Sequence, residues 1–239
     1  MNKWLVSMSA AAVAAGAMAV ESQNVVGVLE SGISGYAIRT PTFVNTDGTA
    51  YAIDNFVVKN ATDGKTTIQV VGSNGQVSGT YYWYNEFDDG ENVFAAGWFD
   101  STGETPANIT LAAGDAVFFN TDESGVSIQS KGEVPGQITH NLVGYMMLGN
   151  GSPINLPIDD FAVSGATDGK TTIQVVNAAG QVAANYYWYN EFDDGENVFA
   201  AGWFDSTGET PANITLAPGE GVFFNTDESG VSVTIPAAI

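Results

Sequence analysis

The strongest constraint on this fold is an internal repeat. Residues 62–128 match residues 167–233 without a gap, at a constant offset of 105, and the two spans differ at ten positions. A weaker match continues upstream, where Gly35 aligns with Gly144 at an offset of 109. Because each copy has the length of an ordinary domain, the sequence predicts two tandem structural repeats, residues 20–131 and 132–239.

Each repeat has the pattern of β-strands. The segment "TTIQVV" from Thr66 alternates and is followed by a turn that ends at Gly75. The rest of that turn changes in the second copy, but Gly180 keeps the glycine, which indicates a position with positive φ. In the next strand, "QVSGTYYWYN", a period of two puts one set of residues on the face that we predict is the core face: Val77, Gly79, Tyr81 and Trp83.

After the N-terminal segment, no window has the 3.6-residue periodicity of an amphipathic helix. Short strands separated by glycine-containing turns are typical of sandwiches and small barrels. The predicted fold is therefore all-β, with two tandem β-sandwich or small-barrel repeats. The sequence leaves open whether the two copies fold separately or exchange strands.

The N-terminal segment "MNKWLVSMSAAAVAAGAMA" has the features of a secretory signal peptide. Lys3 supplies a positive charge, an alanine-rich apolar run follows, and small residues stand at Ala17 and Ala19. We predict that residues 1–19 are a signal peptide cleaved after Ala19. No later segment is apolar for long enough to cross a bilayer. The mature chain is therefore predicted to have no transmembrane span and to be secreted or held at the cell surface of a bacterium.

Charge and residue content exclude several classes of function. The formal net charge is −21 and Arg39 is the single arginine, which excludes binding to nucleic acid, because phosphates require clustered cations. The chain has no cysteine, so it has no thiolate chemistry. His140 is the only histidine and has no counterpart in the first copy. Since no nucleophile, base and orienting group can be assembled, we predict no catalytic residue and no enzyme activity.

An acidic loop follows the aromatic strand in each copy. Calcium prefers several oxygen ligands, but the spacing in "NEFDDGENVFAA" does not fit an EF-hand, because Ala96 stands at the twelfth position where a glutamate is needed. We therefore predict a solvated acidic loop, no cofactor and no metal site. If calcium does bind, the candidate ligands are Asp88, Asp89, Glu91, Asp193, Asp194 and Glu196.

The aromatic residues of the same strand are the candidate ligand-binding residues. If Tyr81 and Trp83 face inward, the alternation turns four tyrosines outward: Tyr82, Tyr84, Tyr187 and Tyr189. Exposed tyrosines can stack on sugar rings or anchor a protein partner. Aromatic residues are also common in strands, where cross-strand neighbours can cover them. We predict that Trp98 and Phe99, further along, are core residues.

The 32 residues from Tyr81 to Ala112 are identical to residues 186–217. Gene conversion or selection on the protein explains such identity, and the positions of synonymous codons would distinguish them. An active site is usually built once, whereas a binding surface is often repeated. The sequence therefore predicts a non-enzymatic binding module, duplicated in tandem, for an extracellular glycan or protein. The alternative is a structural or self-associating component of a surface layer or extracellular matrix.

Four short motifs stand along the chain: "VESQNVVG" from Val20, "GEV" from Gly132, "NLVGYMMLGNGSP" from Asn141 and "LAPGEGVFF" from Leu216. Together they resemble the motifs of an uncharacterised family of secreted bacterial proteins with two similar β-rich halves. The chain departs from the family pattern at Val28, where tyrosine is usual, and at residues 113–116, which lack the P-x-E-G turn. The resemblance implies export and a fold of two β-rich halves, and it implies no activity.

Overall fold

The computed structural model describes residues 26–45, 50–88, 90–91, 93–193 and 198–237. Within these residues the chain forms β-strands and two short 3-10 helices, and it forms no α-helix. The strands fall into two equivalent groups, one in each repeat. The prediction of an all-β fold with two repeated halves is therefore confirmed. The predicted signal peptide, residues 1–19, lies outside the described residues.

The first half contains the following elements: β1 (Val26–Gly32), β2 (Gly35–Arg39), β3 (Tyr51–Ala52), a 3-10 helix (Ile53–Asn55), β4 (Val57–Lys59), β5 (Thr67–Val71), β6 (Val77–Tyr84), β7 (Phe87–Asp88), β8 (Val93–Phe94), β9 (Gly97–Phe99), β10 (Thr110–Leu111), β11 (Val117–Thr121) and β12 (Ser127–Glu133).

The second half repeats this order: β13 (Ile138–Asn141), β14 (Gly144–Gly149), β15 (Leu156–Pro157), a 3-10 helix (Ile158–Asp160), β16 (Ala162–Ser164), β17 (Thr172–Val176), β18 (Val182–Tyr189), β19 (Phe192–Asp193), β20 (Val198–Phe199), β21 (Gly202–Phe204), β22 (Thr215–Leu216), β23 (Gly221–Thr226) and β24 (Ser232–Ile235).

Two antiparallel sheets enclose the core of each half. In the first half, a five-stranded sheet has the order β2-β11-β5-β6-β9 and a three-stranded sheet has the order β1-β12-β4. The five-stranded sheet contributes Ile68 and Phe119 to one buried cluster, and the three-stranded sheet contributes Val58 and Ile128 to the same cluster. The second half has the same strand orders, β14-β23-β17-β18-β21 and β13-β24-β16. Each half is thus a small sandwich-like unit with its own core.

The core of the first half contains a row of aromatic rings in edge-to-face contact. The ring centroids of Trp83 and Trp98 lie 5.4 Å apart, and those of Trp98 and Phe119 lie 5.7 Å apart. Phe56 continues the row at 5.4 Å from Phe119. Edge-to-face contact is a favourable geometry for aromatic pairs and adds to the free energy gained from burial. The inward orientation predicted for Trp83 is correct, because its side chain is buried against Trp98.

The inward orientation predicted for Val77 is wrong. The register between β5 and β6 shifts next to Val71, which pairs with Val77, whereas Val70 pairs with Gly79. Ser78 is therefore an extra residue in β6, and this bulge breaks the alternation that the prediction assumed. Val77 is exposed as a result. The turn between the two strands does have the predicted backbone, with a φ of 75° at Gly75 and 76° at Gly180.

The two halves do not exchange strands within the described residues, because every sheet is built from strands of one half. The last strand of the first half, β12, continues to Glu133 and pairs there with Val26. It therefore crosses the predicted boundary between residues 131 and 132, and residues 134–137 form the connection without a strand. Because Gly132 lies in β12 and pairs with β1, it belongs to the first half, although it is the first residue of the predicted second repeat.

The halves join through a junction with pseudo-two-fold symmetry. It covers the free edges of β2 and β14, which would otherwise present unpaired backbone groups. Reciprocal contacts between equivalent residues are the mark of a two-fold interface. Four backbone hydrogen bonds show this reciprocity: Tyr36 N–H to Ala178 O (2.9 Å) and Tyr145 N–H to Ser73 O (2.9 Å), Thr40 N–H to Gly219 O (3.0 Å) and Gly149 N–H to Gly114 O (3.0 Å).

Side chains from both halves bury an apolar cluster at the junction. Its fully buried members are Ile38, Ala116, Phe118 and Met147. Phe118 lies 5.7 Å from Phe223 of the other half, measured between ring centroids. Gly221 stands where the first half has Ala116, and a Cβ atom there would come within 2.7 Å of Ile38 Cγ2. The two sides of the junction are therefore complementary in shape and not identical.

Two acidic residues at equivalent positions face nitrogen-bearing side chains from non-equivalent positions across the junction. The Nδ1 atom of His140 lies 3.6 Å from Asp115 Oδ1, and its Nε2–H donates to the carbonyl oxygen of Ala113 at 2.8 Å. On the other side, the guanidinium of Arg39 lies 3.9 Å from Glu220. The only histidine and the only arginine of the chain thus both lie at the junction.

Candidate functional site

The four candidate tyrosines lie on the outer face of the five-stranded sheets, and all four are half-buried. Tyr82 pairs directly with Phe99 of β9, and Tyr84 pairs with Gly97. The rings of Tyr84 and Phe99 are in edge-to-face contact at 5.8 Å between centroids. In the second half, Tyr187 pairs with Phe204, and Tyr189 lies 5.8 Å from the same ring. The outer face is thus an aromatic surface that continues from β6 onto β9.

Trp98 and Phe99 have different locations. Trp98 is completely buried, so the core location predicted for it is correct. Phe99 is only half-buried and contacts Tyr84 on the outer face, so the core location predicted for Phe99 is wrong. Adjacent residues of a strand point to opposite faces, and once Trp98 faces the core Phe99 cannot.

A groove opens on this outer face at the end of β6. Its volume is about 630 Å³, and its lining residues are Asp63, Tyr84, Asn85, Phe87, Ala95, Phe99, Gly103 and Glu104. The second half has the equivalent groove, with a volume of about 410 Å³, lined by Asp168, Tyr189, Asn190, Phe192, Ala200, Phe204 and Gly208. These volumes lie within the range typical of small-molecule sites. We call them groove 1 and groove 2.

Glycines make room for the tyrosine ring in each groove. A Cβ atom on Gly103 would lie 3.1 Å from the Tyr84 ring, and one on Gly64 would lie 3.7 Å from its hydroxyl oxygen. Both glycines also have positive φ, 74° and 72°, which other residues rarely adopt. Two tight turns therefore approach the hydroxyl end of the ring and hold Tyr84 in the wall of groove 1.

A hydrogen-bond network connects the groove to the buried tryptophan. Asp63 Oδ1 accepts hydrogen bonds from the backbone N–H (2.8 Å) and the side-chain amide (2.7 Å) of Asn85. Asn85 Oδ1 accepts a hydrogen bond from Trp83 Nε1–H at 3.1 Å. The same amide donates to the carbonyl oxygen of Ala61 at 2.9 Å, so both of its N–H donors are used. The end of β6 is therefore held firmly against the turn that carries Asp63.

The second half repeats this network. Asp168 Oδ1 accepts hydrogen bonds from Asn190 at 2.8 and 2.7 Å, and Asn190 accepts from Trp188 Nε1–H at 3.2 Å. The sequence analysis did not identify Asp63 or Asn85 as site residues. The available signal was that an aspartate and an asparagine 22 residues apart recur in both copies. That signal does not distinguish a binding site from a structural clamp.

A short hairpin, β7 with β8, forms the outer rim of each groove. Phe87 lines groove 1 although 59% of its surface is exposed, and Val93 on the paired strand is 65% exposed. Phe192 and Val198 repeat this exposure in the second half. Phe87 was not among the site residues predicted from the sequence. Its proximity to Phe99 and Tyr84 depends on the hairpin folding back beside β6, which no local pattern specifies.

The electrostatics of the grooves are acidic. Asp63 and Glu104 line groove 1, and no lysine or arginine is among its lining residues. Nearby, the Thr102 hydroxyl donates to Asp100 Oδ1 at 2.6 Å and holds the pKa of that carboxyl below its ordinary value. The equivalent bond from Thr207 lowers the pKa of Asp205 to about 2. Asp100 and Asp205 therefore stay negatively charged at every physiological pH.

The calcium candidates do not form a cluster in the part of the chain that the structure describes, where no three acidic or histidine side chains come together as a metal site would require. Asp88 accepts a hydrogen bond from the Gly90 backbone N–H at 2.8 Å. Glu91 lies in the same hairpin, and Asp193 lies in the equivalent hairpin of the second half. Asp89, Asp194 and Glu196 lie outside the described residues.

No helix in the described ranges is both long and apolar enough to span a bilayer. Comparison with family models, with characterised proteins and with solved structures yields no significant match. The two grooves, their network and their acidic rim are therefore interpreted from their own geometry, and the resemblance to a family of secreted proteins with two β-rich halves stays a prediction.

Proposed function

We propose that this protein is a secreted or cell-surface, non-enzymatic binding module that holds an uncharged extracellular glycan in two equivalent grooves. The observation that carries the proposal is that every residue that lines groove 2 has an identical counterpart in the lining of groove 1, which additionally contains Glu104. A repeated ligand explains a repeated groove, because each site then makes the same contacts.

The lining of the grooves favours sugar rings. Tyr84, Phe87 and Phe99 offer aromatic surface on which the apolar C–H face of a sugar can pack. Asp63 and Glu104 stand beside that surface and can accept hydrogen bonds from sugar hydroxyls, and a bond to a charged acceptor is stronger than one to a neutral acceptor. An apolar floor with a few polar groups at its margin is the usual composition of a small-ligand site.

The charge of the grooves favours an uncharged ligand. Groove 1 has two carboxylates in its lining and no cation there, and the chain has a net charge of −21. Sialylated, sulfated or uronic polysaccharides would meet like charge at the groove and over the whole surface. Export places the protein where polysaccharides occur, and the predicted signal peptide supports export.

The carboxylates of groove 1 favour binding over catalysis. Asp63 already accepts two hydrogen bonds from Asn85, which commits one of its oxygens to the fold. Glycoside hydrolysis needs one carboxyl whose pKa is raised so that it can act as an acid. The carboxyls near the groove whose pKa values shift, Asp100 and Asp205, both shift in the opposite direction.

The test uses the mature chain, residues 20–239, and beads that carry β-1,3-glucan, mannan, galactan, hyaluronate or alginate. We expect retention on at least one uncharged polysaccharide and none on the two anionic ones. The double variant Tyr84→Ala/Tyr189→Ala should reduce the affinity at least about tenfold, which corresponds to 1.4 kcal/mol, because each change removes the aromatic wall of a groove.

The matched control is the double variant Tyr82→Ala/Tyr187→Ala, which changes the same residue type two positions earlier on the same strand. Tyr82 does not belong to the groove lining, so this variant should bind normally. Circular dichroism and melting curves verify that both variants are folded. Loss of binding in the control variant alone would move the site to the Tyr82 surface and contradict the grooves as the site.

The exposed hairpins favour one alternative, a self-associating component of a surface layer or matrix. Phe87 and Val93 present apolar surface at the tip of the first half, and Phe192 and Val198 do so in the second. Exposed apolar residues grouped in this way often mark association surfaces. Light scattering decides this alternative: growth of particle mass with concentration supports it, and a constant monomer mass excludes it.

A further inference from the structure

The order of strands places each groove far from the junction. The junction uses β2 and β14, which form one edge of their five-stranded sheets. The grooves lie beside the opposite edge, where β6 meets β9 and β18 meets β21. Four steps of about 4.8 Å separate the two edges of such a sheet, so each groove lies on the order of 20 Å from its own junction strand.

The pseudo-two-fold symmetry places the two grooves at equivalent positions, one on each half and each at the sheet edge remote from the junction strand. The junction is reciprocal, so the direction from β2 to β9 in the first half is matched by the direction from β14 to β21 in the second. Backbone hydrogen bonds between the halves involve residues near β2 and β14 and the turns at 73 and 178, and none of those bonds among the described residues involves a groove residue. Both grooves thus remain open when the halves are joined.

The junction also fixes the relation between the grooves. Four reciprocal backbone hydrogen bonds and a buried apolar cluster hold the halves together. The fit of Ile38 against Gly221 leaves no room for a side chain, so a rotation of the halves would lose close packing. Groove 2 therefore cannot swing towards groove 1 to grip the same short stretch of ligand.

From this arrangement we propose that the protein is a two-ended cross-linker, which binds one glycan chain in groove 1 and a separate glycan chain in groove 2. The inference rests on the proposed glycan-binding function and goes beyond it. A short oligosaccharide fills one groove only, so each protein molecule binds two oligosaccharides independently. When the glycan is a polymer that repeats the binding unit, one protein molecule joins two neighbouring polymer chains. Many such bridges connect polymer chains or glycan-coated particles into a network.

The experiment measures agglutination and retention on the same beads. Beads that carry β-1,3-glucan, mannan or galactan are mixed with the mature chain, residues 20–239. We expect the wild-type chain to agglutinate every bead type that retains it. The single-groove variants Tyr84→Ala and Tyr189→Ala should still be retained on those beads. They should require at least tenfold more protein to agglutinate them, because each variant has only one intact groove.

Calorimetry with a short oligosaccharide of the retained polymer supplies an independent readout. The wild-type chain should bind two oligosaccharides, and each single-groove variant should bind one. The single variant Tyr82→Ala is the matched control and should agglutinate and titrate like the wild type.

The outcomes separate the cross-linking inference from the binding proposal. Retention without agglutination would leave glycan binding intact and overturn cross-linking, because both grooves would then grip the same polymer chain. Agglutination by the single-groove variants at the wild-type concentration would also overturn it and would show that self-association joins the beads. Failure of every bead type to retain the protein would overturn the glycan proposal and, with it, the cross-linker.

Discussion

The grooves and the junction come from one duplication, but the two copies have diverged in one region and not in the other. Every residue that lines groove 2 has the same identity as its counterpart in groove 1. Six of the ten differences between the matched spans fall in residues 72–74 and 113–116 and their equivalents. Both segments contact the other half, through the backbone oxygens of Ser73 and Gly114.

The proposed function and the packing of the junction together account for this contrast. Under the proposed function, both grooves bind the same ligand, which favours identical lining residues. A junction inside one chain joins two different surfaces, so its two sides need complementary shapes, as between Ile38 and the glycine at 221. A gene-conversion tract limited to residues 81–112 would leave the same contrast, and the positions of synonymous codons would distinguish it from selection on the protein.

The largest effect is expected in the core beneath the grooves. Trp98→Ala should lower the free energy of unfolding by about 3–5 kcal/mol, because it leaves a cavity between Trp83 and Phe119. Trp203→Ala should cost a similar or slightly smaller amount, because the same aromatic neighbours surround it but its Nε1–H has no hydrogen-bond partner in the described part of the chain, whereas Trp98 Nε1–H donates to Phe56 O at 3.3 Å. Denaturant-induced unfolding measures both, with the exposed Val93→Ala as a control that should stay near the wild type. Clearly unequal costs would contradict the equivalence of the two halves.

A smaller effect is expected at the junction, and there the two halves should differ. Gly221→Ala should destabilise the protein by about 1–3 kcal/mol, because the added Cβ overlaps Ile38 and approaches Leu148 O. Ala116→Gly at the equivalent position adds no atom and is the matched control. In a double-mutant cycle, Gly221→Ala should destabilise the Ile38→Ala variant less than it destabilises the wild type. A Gly221→Ala variant as stable as the wild type would show that the junction is not tightly packed.

The ion pair at the junction should contribute less to the stability of the protein than the packing around Gly221. Arg39→Leu introduces leucine, the residue that stands at the equivalent position of the second half, Leu148. Arg39 is largely buried, its Nε atom has no hydrogen-bond partner in the described part of the chain, and Glu220 is 3.9 Å away. Desolvation offsets most of the attraction, so stability should change by no more than about 1 kcal/mol in either direction. Thermal melting checks this, and a drop above about 2 kcal/mol would indicate that the pair holds the halves together.

The smallest effect is expected from the carboxylates beside the grooves. The pKa of Asp205 is lowered to about 2 by its bond with Thr207, and the pKa of Asp100 is lowered by Thr102. A lowered pKa in the folded state means that the stabilisation is complete above the unfolded pKa of about 4 and is lost as the pH falls through the folded value.

The melting temperature should therefore decrease between pH 5 and pH 2. The variant Thr102→Val/Thr207→Val should decrease less over the same range, because both hydroxyl donors are gone. Changing only one of the two threonines should have about half of that effect, since the same turn occurs in both halves. An unchanged pH dependence in the double variant would show that other carboxylates cause the acid sensitivity.

Much of the strand pattern could be predicted from the sequence. The turn glycine at Gly75, the inward Trp83 and the buried Trp98 follow from local conformational preference and from period-two alternation. The two errors have different causes. The bulge at Ser78 broke the alternation and turned Val77 outward, whereas the prediction for Phe99 conflicted with the alternation itself, which puts Phe99 on the face opposite to Trp98.

The sequence by itself determined that the chain is built from two copies of one β-rich unit, since repetition and alternation are properties of neighbouring residues. Only the tertiary structure decided which residues make a groove and where the two grooves lie. Asp63, Tyr84 and Phe99 meet because β9 returns beside β6 and the turn before β5 closes over its end, and these contacts join residues distant in the chain. The relative position of the two grooves depends on the junction, whose shape complementarity is a property of two folded surfaces and of no single segment.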